Sequence, residues 1–298
     1  ETAMAVQTPR QRLHAQIKSK TLVVAPGVYD GLTGRLAANA GFDVAYMTGA
    51  GTSIRKGYPD YGLLTMTEMV DNASDITAID GLAVIADADT GYGNELNMTR
   101  TVHEYERAGV AAIHIEDQGF PKRCGHLDDK EIIPLGDYIA KIRAAVAART
   151  DPDFQIIART DSRAVMGLEE AIRRANASLE AGADIAFVEA PQTPDEVRAV
   201  PKAVKGPCLF NLVYGGKTPA FELAEIEAMG FALAILPDVL LRSVMMTCEG
   251  ILGPLKANGT LPDQSKGMVV REMFERMGSA DWDVIRTAYA EPKAEAAE

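Results

Sequence analysis

Cysteine is scarce in this chain, positive charge is in the minority, and no long hydrophobic run is present. Each shortage removes a class of function. Three cysteines in 298 residues, Cys124, Cys208 and Cys248, are too few and too scattered for a disulfide framework, so a reducing compartment is expected. Lys and Arg number 30 against 42 Asp and Glu, a net charge of −12 that repels nucleic acid and anionic membrane surfaces. An anionic substrate would need a local basic pocket. No stretch reaches the 18 apolar residues of a membrane span, and no secretory pattern opens the chain. The expectation is a soluble cytoplasmic protein, with an organelle matrix left open and neither nucleic acid nor membrane as partner.

What is present is a repeating grammar. In ANAGFDVAYMTG, ERAGVAAIHIED, LEAGADIAFVEA and EAMGFALAILP a helical stretch ends at a glycine and an apolar run follows at once. Gly41, Gly109, Gly182 and Gly230 stand where a helix C-cap takes a left-handed residue. The runs after them alternate poorly between polar and apolar, as strands buried on both faces do. LVVAP near Leu22, LAVIADAD near Leu82, FQIIART near Phe154 and CLFNL near Cys208 complete eight candidate strands separated by helix-period stretches. Eight alternating βα units in a 47% hydrophobic chain predict an α/β fold of the (β/α)8 TIM-barrel type. An open doubly wound sheet is the weaker alternative, because no GxGxxG follows the first strand and no composition break marks two halves. We expect one barrel domain over residues 1–298, with the core at 20–255 and a C-terminal helical extension at 256–298. The opening ETAM is set aside, and the Ala/Glu-rich tail Glu291–Glu298 is expected to fray.

The strands end on polar residues. In chain order these are Thr48, Asp87 and Asp89, Glu116 and Asp117, Arg159 and Asp161, Glu189, then Asn211. A barrel places all those ends on one rim, where barrel enzymes keep their chemistry. A single acid after a strand is as often a helix N-cap or turn residue; six rims in succession strain that explanation. In DADTGYG the carboxylates of Asp87 and Asp89, at i and i+2, share one side of the strand, and Glu116 can approach from the next. All-oxygen ligation of that kind suits Mg²⁺ or Mn²⁺.

FPKRCGHLDDK, from Phe120 to Lys130, admits three readings. A zinc knuckle needs about four N/S ligands, and Cys124 and His126 have no second Cys/His pair nearby. A basic surface turn fits Gly125 and the flanking charges. A reactive loop fits a cysteine among Lys122, Arg123 and His126, whose charges are expected to lower its pKa. The stretch from Gln118 to Pro134 is long enough to close as a lid.

KRCGH, taken with the preceding IEDQ and with DADTGYG, resembles the isocitrate lyase and phosphoenolpyruvate mutase superfamily, and within it the short-chain branch of methylisocitrate and 2,3-dimethylmalate lyases. The resemblance runs from about Val23 to Arg271. It implies a Mg²⁺-dependent barrel and a homotetramer whose C-terminal helix is swapped between subunits, Asp263 to Gly278 belonging to the exchanged region. Thr48, Gly49 and Ala50 would bind the substrate carboxylate, and Asp87 and Asp89, with Asp60 and Glu116 through water, would hold the metal. Cys124 would be the catalytic acid/base, with Lys122, Gly125 and His126 shaping the loop around it. Arg159, Glu189, Asn211, Arg242 and Arg271 match the remaining substrate contacts.

Cleaving the C2–C3 bond of a 2-hydroxy diacid fits these residues. Metal and Arg159 can neutralise the α-hydroxy acid end, and the Cys124 thiol can protonate the departing enolate. The expected function is therefore a carbon–carbon lyase of the oxo-acid type acting on a small 2-hydroxy or 2-oxo diacid. The preferred substrate is 2,3-dimethylmalate, because Leu212, Val213, Tyr214, Leu236 and Pro237 are expected to form an apolar pocket near Asn211. Methylisocitrate cleavage and oxaloacetate hydrolysis are the alternatives. The hydrolase branch tends to carry Ser where this chain has Pro237. A non-catalytic scaffold would predict a broken position among Asp87, Cys124 and Arg159, and none is broken.

Overall fold

The structure is a computed structural model that describes residues 7–19, 21–126, 129–263 and 267–290. The opening ETAM and the tail Glu291–Glu298 lie outside the described residues. Two compact units divide the chain, Glu1–Val244 and Met245–Glu298.

In the first unit eight parallel strands close into a barrel: β1 (Val23–Val28), β2 (Val44–Met47), β3 (Ala83–Asp87), β4 (Ala112–Glu116), β5 (Gln155–Thr160), β6 (Ile185–Val188), β7 (Cys208–Asn211) and β8 (Leu233–Leu236). Each pairs with its successor, and β8 returns to β1 through Val23 opposite Leu233 and Ala25 opposite Ile235. These are the eight strands expected from the sequence. The four glycines of the repeat all take positive φ, from 85° at Gly109 to 104° at Gly182, the left-handed geometry that ends a helix and turns the chain into a strand.

Period two along each strand separates two cores. Inward positions such as Ala25, Tyr46, Ile85, Ala112, Ile157, Phe187, Leu209 and Ile235 fill the barrel. Alternate positions such as Val84, Ile113, Ile156, Phe210 and Ala234 face the helices. The helix Pro9–Lys18 adds Leu13 and Ile17 to the interior set and so plugs the N-terminal end of the barrel. The inward parity, continued past the strand ends, selects Thr48, Asp87 and Asp89, Glu116, Arg159 and Asp161, Glu189 and Asn211. The side chains that fill the barrel below and the polar groups at its mouth are thus one set.

The second unit is built differently. Its helices Val270–Arg276 and Ser279–Tyr289 have no buried residue, and Trp282 is 71% exposed. Apolar side chains without a core of their own are unfavourable in water.

Barrel closure also fixes a test. A Cβ on Gly27 would collide with the backbone carbonyls of Leu236 and Pro237, which cannot move aside as a side-chain tip does. Gly27→Ala is expected to lower stability by about 1–3 kcal/mol, read as a fall in the denaturant midpoint. An unchanged midpoint would show that β1 and β8 are not packed as described.

Candidate active site

The centre of the rim is a guanidinium. Arg159, on the inward face of β5 and 6% exposed, places Nε 2.9 Å from Asp161 Oδ2, Nη1 3.2 Å from Glu116 Oε2 and Nη2 3.3 Å from Glu189 Oε2. Its charge also lies 5.2 Å from the Phe187 ring beneath it. Asp161 is drawn down to about 2: burial opposes its ionisation, but Arg159 and then Lys130 more than offset that.

A second cluster lies beside it. Lys122 Nζ sits 2.7 Å from Asp60 Oδ1 and 2.8 Å from Asp89 Oδ1, and its side chain is almost fully buried. Asp87 Oδ1 accepts from the backbone N–H of Asp89 at 2.8 Å, an interaction made with Asp89 at φ 48°. A Cβ on Gly49 would strike the Asp87 carboxylate, so only glycine lets the turn after β2 approach it. Burial dominates the protonation here. It raises Asp87, raises Glu116 well above the usual carboxylate range, and lifts Asp89 to about 6 with Asp87 and Asp60 adding to the effect.

Among the described residues, Asp60, Asp87, Asp89, Glu116, Asp161 and Glu189 thus gather around Lys122, Arg159 and Lys130, with His126 beside Glu189. His114 adds no charge, since burial, then Arg159 and Lys122, push it down to about 3. Neither oxygen of Glu116 has a hydrogen-bond partner although both are buried. The rim is therefore short of positive charge and holds orphaned oxygen donors, the chemistry a hard divalent cation fits. Among the described residues no three His, Cys, Asp or Glu side chains already converge on one point. That agrees with Mg²⁺, which keeps several waters and takes only one or two carboxylates directly.

KRCGH folds onto this floor. The loop is closed at its base by the Gln118–Ile132 bridge, with Gly119 N–H donating to the Glu131 carbonyl at 2.8 Å. Gln118 braces the inside, giving its amide to the Arg123 carbonyl at 2.7 Å and accepting the Arg123 N–H at 3.0 Å. Gly125 is pressed against the guanidinium: a Cβ there would lie 2.5 Å from Arg159 Nη2 and 2.6 Å from Glu189 Cγ. His126 Nε2 is 3.3 Å from Glu189 Oε1, and its Nδ1 accepts the Lys217 N–H at 3.1 Å. Asn211 donates to Glu189 Oε2 at 3.2 Å.

The sequence argument expected the cations of this loop to lower the Cys124 pKa, and the structure reverses that. Burial raises it, and Asp60 and Glu189 add to the rise against the His126 N–H and Arg159. Lys122 spends its charge on Asp60 and Asp89, and Arg123 points away toward Asp129 at 3.9 Å. Cys124 is held as a thiol.

Other expectations divide. Thr48 accepts from Gly51 N–H at 3.0 Å and so caps the helix Gly49–Arg55. Asp117 is structural, bound by Thr160, the Asp161 N–H and Arg174. The apolar pocket is smaller than expected. Leu212 packs outside the barrel with Phe210 and Phe231, Leu236 follows inward Ile235 on the outer parity, and Pro237 lies half-buried in the turn after β8. Arg242 stacks 4.0 Å above the ring of Tyr214, itself 74% exposed. Arg271 belongs to the second unit, where it pairs with Glu275 at 2.6 Å. The sequence reading passed over Tyr46 and His114, joined at 2.7 Å with Tyr46 Oη 3.4 Å from Asp87 Oδ2. Their positions two residues before Thr48 and Glu116 were the available signal. A cavity of about 800 Å³ lies beside these loops, lined by Leu63, Met66, Tyr92, Phe120 and Lys141. None of the rim's clustered charges lines it.

An acidic barrel mouth roofed by a half-buried thiol defines a class of α/β-barrel enzymes for small acids. Residues 11–253 match the phosphoenolpyruvate phosphomutase family, and the chain belongs to it. It is 48% identical over 227 residues to the 2,3-dimethylmalate lyase of Eubacterium barkeri, covering 76% of this chain and 78% of the relative. The structure also resembles oxaloacetate acetylhydrolase in complex with 3,3-difluorooxalacetate, with a TM-score of 0.92 at 36% identity over 96% of this chain and 99% of that one. Phosphonopyruvate hydrolase, solved with oxalate and Mg²⁺, superposes with a TM-score of 0.87 at 31% identity, covering 96% and 100%.

The raised Asp89 fixes a pH dependence. Its folded pKa of about 6 exceeds the ordinary carboxylate value, so the folded chain binds the extra proton and stability is lost as pH rises from about 4 to 6. In chelator, the melting temperature of Asp89→Asn should vary less across that window than that of the parent chain. Added Mg²⁺ should stabilise the parent above pH 6 and not at pH 4.5. Identical pH profiles for the two proteins would contradict the assignment.

Proposed function

We propose that this chain is a Mg²⁺-dependent carbon–carbon lyase that cleaves 2,3-dimethylmalate to pyruvate and propionate. The observation that carries this reading is the half-buried Cys124, its pKa raised, seated through Gly125 against Arg159 and Glu189. Cleavage of the C2–C3 bond leaves its electron pair on C3 as an enolate, which needs a proton delivered to carbon. A thiol with a raised pKa stays charged with that proton at neutral pH, whereas a thiolate could not supply it.

Asp87 and Asp89 would hold the metal directly, with Asp60 and Glu116 acting through water. Bound there, Mg²⁺ would lower the pKa of the substrate's 2-hydroxyl and balance charge on the product. Arg159 binds the carboxylate beside that hydroxyl. Glu189, already tied to Arg159, Asn211 and His126, orients those donors toward the substrate. Thr48, Gly49 and Ala50 receive a carboxylate at the turn after β2, and the loop shields the reaction from water. The exposed apolar helices of the second unit support assembly as a homotetramer in which partner subunits cover them, the arrangement in which Arg271 and Arg242 would complete the substrate contacts.

Oxaloacetate hydrolysis is the second reading, favoured by the likeness to an acetylhydrolase. Pro237, in the turn that ends β8, argues against it, because proline offers no hydroxyl to a hydrated keto group. One methyl buried against Pro237 is worth about 0.8 kcal/mol, or about fourfold in kcat/KM.

Pyruvate release from 2,3-dimethylmalate should exceed oxalate release from oxaloacetate and should stop reversibly in EDTA. Faster oxalate release would move the protein to the hydrolase reading. Cys124→Ser should lower kcat by about 10²–10⁴-fold with little change in KM, since the proton is needed only beyond the ground state. A variant that loses affinity alone would make Cys124 a binding residue.

A further inference from the structure

The rim contains a buried ammonium with no role in the chemistry described so far. Lys130 follows Cys124 by six residues, and its side chain is 1% exposed. Burying a lysine gives up about 2 kcal/mol of rotamer freedom and several more of hydration, so the charge must be matched closely. Its Nζ lies 3.0 Å from Asp161 Oδ1 and also donates to the backbone carbonyl of Gly125.

The two ends of this link differ in kind. Asp161 is the fixed end: it holds Arg159 Nε at 2.9 Å, and its own N–H is held by Asp117 at 2.8 Å. Asp117 in turn binds Thr160 at 2.6 Å and Arg174 at 3.0 Å. Gly125 is the loop end, the residue directly after the thiol. Its backbone already rests on Arg159 and Glu189 with no room for a side chain, so contact alone keeps it from moving inward. Outward movement is opposed by the Lys130 ammonium, because leaving would strand a buried charge and a buried carbonyl together, and the flanking residues are tied by the Gln118–Arg123 and Lys217–His126 hydrogen bonds.

We infer that Lys130 is a positioning residue: by tying the Gly125 carbonyl to the Asp161–Arg159 pair, it fixes where the Cys124 thiol stands relative to the Arg159 guanidinium. It acts through Gly125 and Asp161 and touches no reacting atom. Neutralising Asp161 is not its main task, since Arg159 already contacts both oxygens of that carboxylate. The effect on turnover rests on the lyase reading above; the effect on the thiol does not.

The test therefore reads the thiol. In the full chain without substrate, iodoacetamide labelling of Cys124 is followed by peptide mass spectrometry, with the exposed Cys248 as internal reference. Lys130→Met should label Cys124 about tenfold to a hundredfold faster, the range expected for losing one charge-assisted hydrogen bond, with Cys248 unchanged. Lys130→Arg should restore part of the protection. If the chain cleaves its substrate, kcat should fall in Lys130→Met more than KM rises. An unchanged Cys124 rate in folded Lys130→Met would overturn the proposal whatever the activity. Failure of both Lys130→Met and Lys130→Gln to fold would also overturn it, by making Lys130 a determinant of the core. Faster labelling in a chain that cleaves nothing would uphold the positioning role and remove the lyase reading instead.

Discussion

The Arg159 guanidinium is the charge around which the barrel mouth is built. It bridges Glu116, Asp161 and Glu189, carboxylates from three successive strand ends, all of them essentially out of water. A buried carboxylate without a partner costs several kcal/mol, and a neutral residue at 159 would remove the one guanidinium that all three share, leaving Asp161 to Lys130 and Glu189 to His126 and Asn211. The parallel barrel creates this problem by delivering every strand end to one rim. One planar cation with N–H groups on three sides answers it, and in doing so places a binding group for an acid substrate where all the loops meet.

Arg159 and the other two cations do not balance the mouth, and that imbalance organises the rest. Burial raises Asp89 and Glu116, so a divalent cation that takes the place of their protons relieves the cost of the buried charge. The same low-polarity setting holds Cys124 as a thiol and His114 as a neutral ring. A thiol that keeps its proton beside a fixed guanidinium makes a mouth suited to giving a proton to carbon while binding anions. Family membership and the likeness to 2,3-dimethylmalate lyase agree with that chemistry.

Much of this was legible in the sequence because the signals were local. Glycines at helix ends and doubly buried apolar runs marked all eight strands, and the polar residues ending six of them marked the rim. What could not be read depended on contacts across the chain. The direction of the Cys124 shift was misjudged because Lys122 is neutralised by Asp60 and Asp89, residues distant in sequence. Lys130 meets Asp161 across 31 positions, and nothing in the intervening residues announces it. The placement of Leu212 and Leu236 was an error of another kind. Counting parity from Asn211 and Ile235 assigns both to the outside, so the information was present in the sequence.

The central claim is that the Cys124 thiol delivers the proton to the carbon left by bond cleavage. Turnover of 2,3-dimethylmalate in D₂O, with the propionate examined by NMR, tests it most directly. The account predicts one deuterium at C2 of propionate in a single configuration with the parent chain, and loss of that configurational preference in whatever product Cys124→Ala still forms. Propionate labelled with the same single configuration by Cys124→Ala would contradict it, because another group would then be the acid.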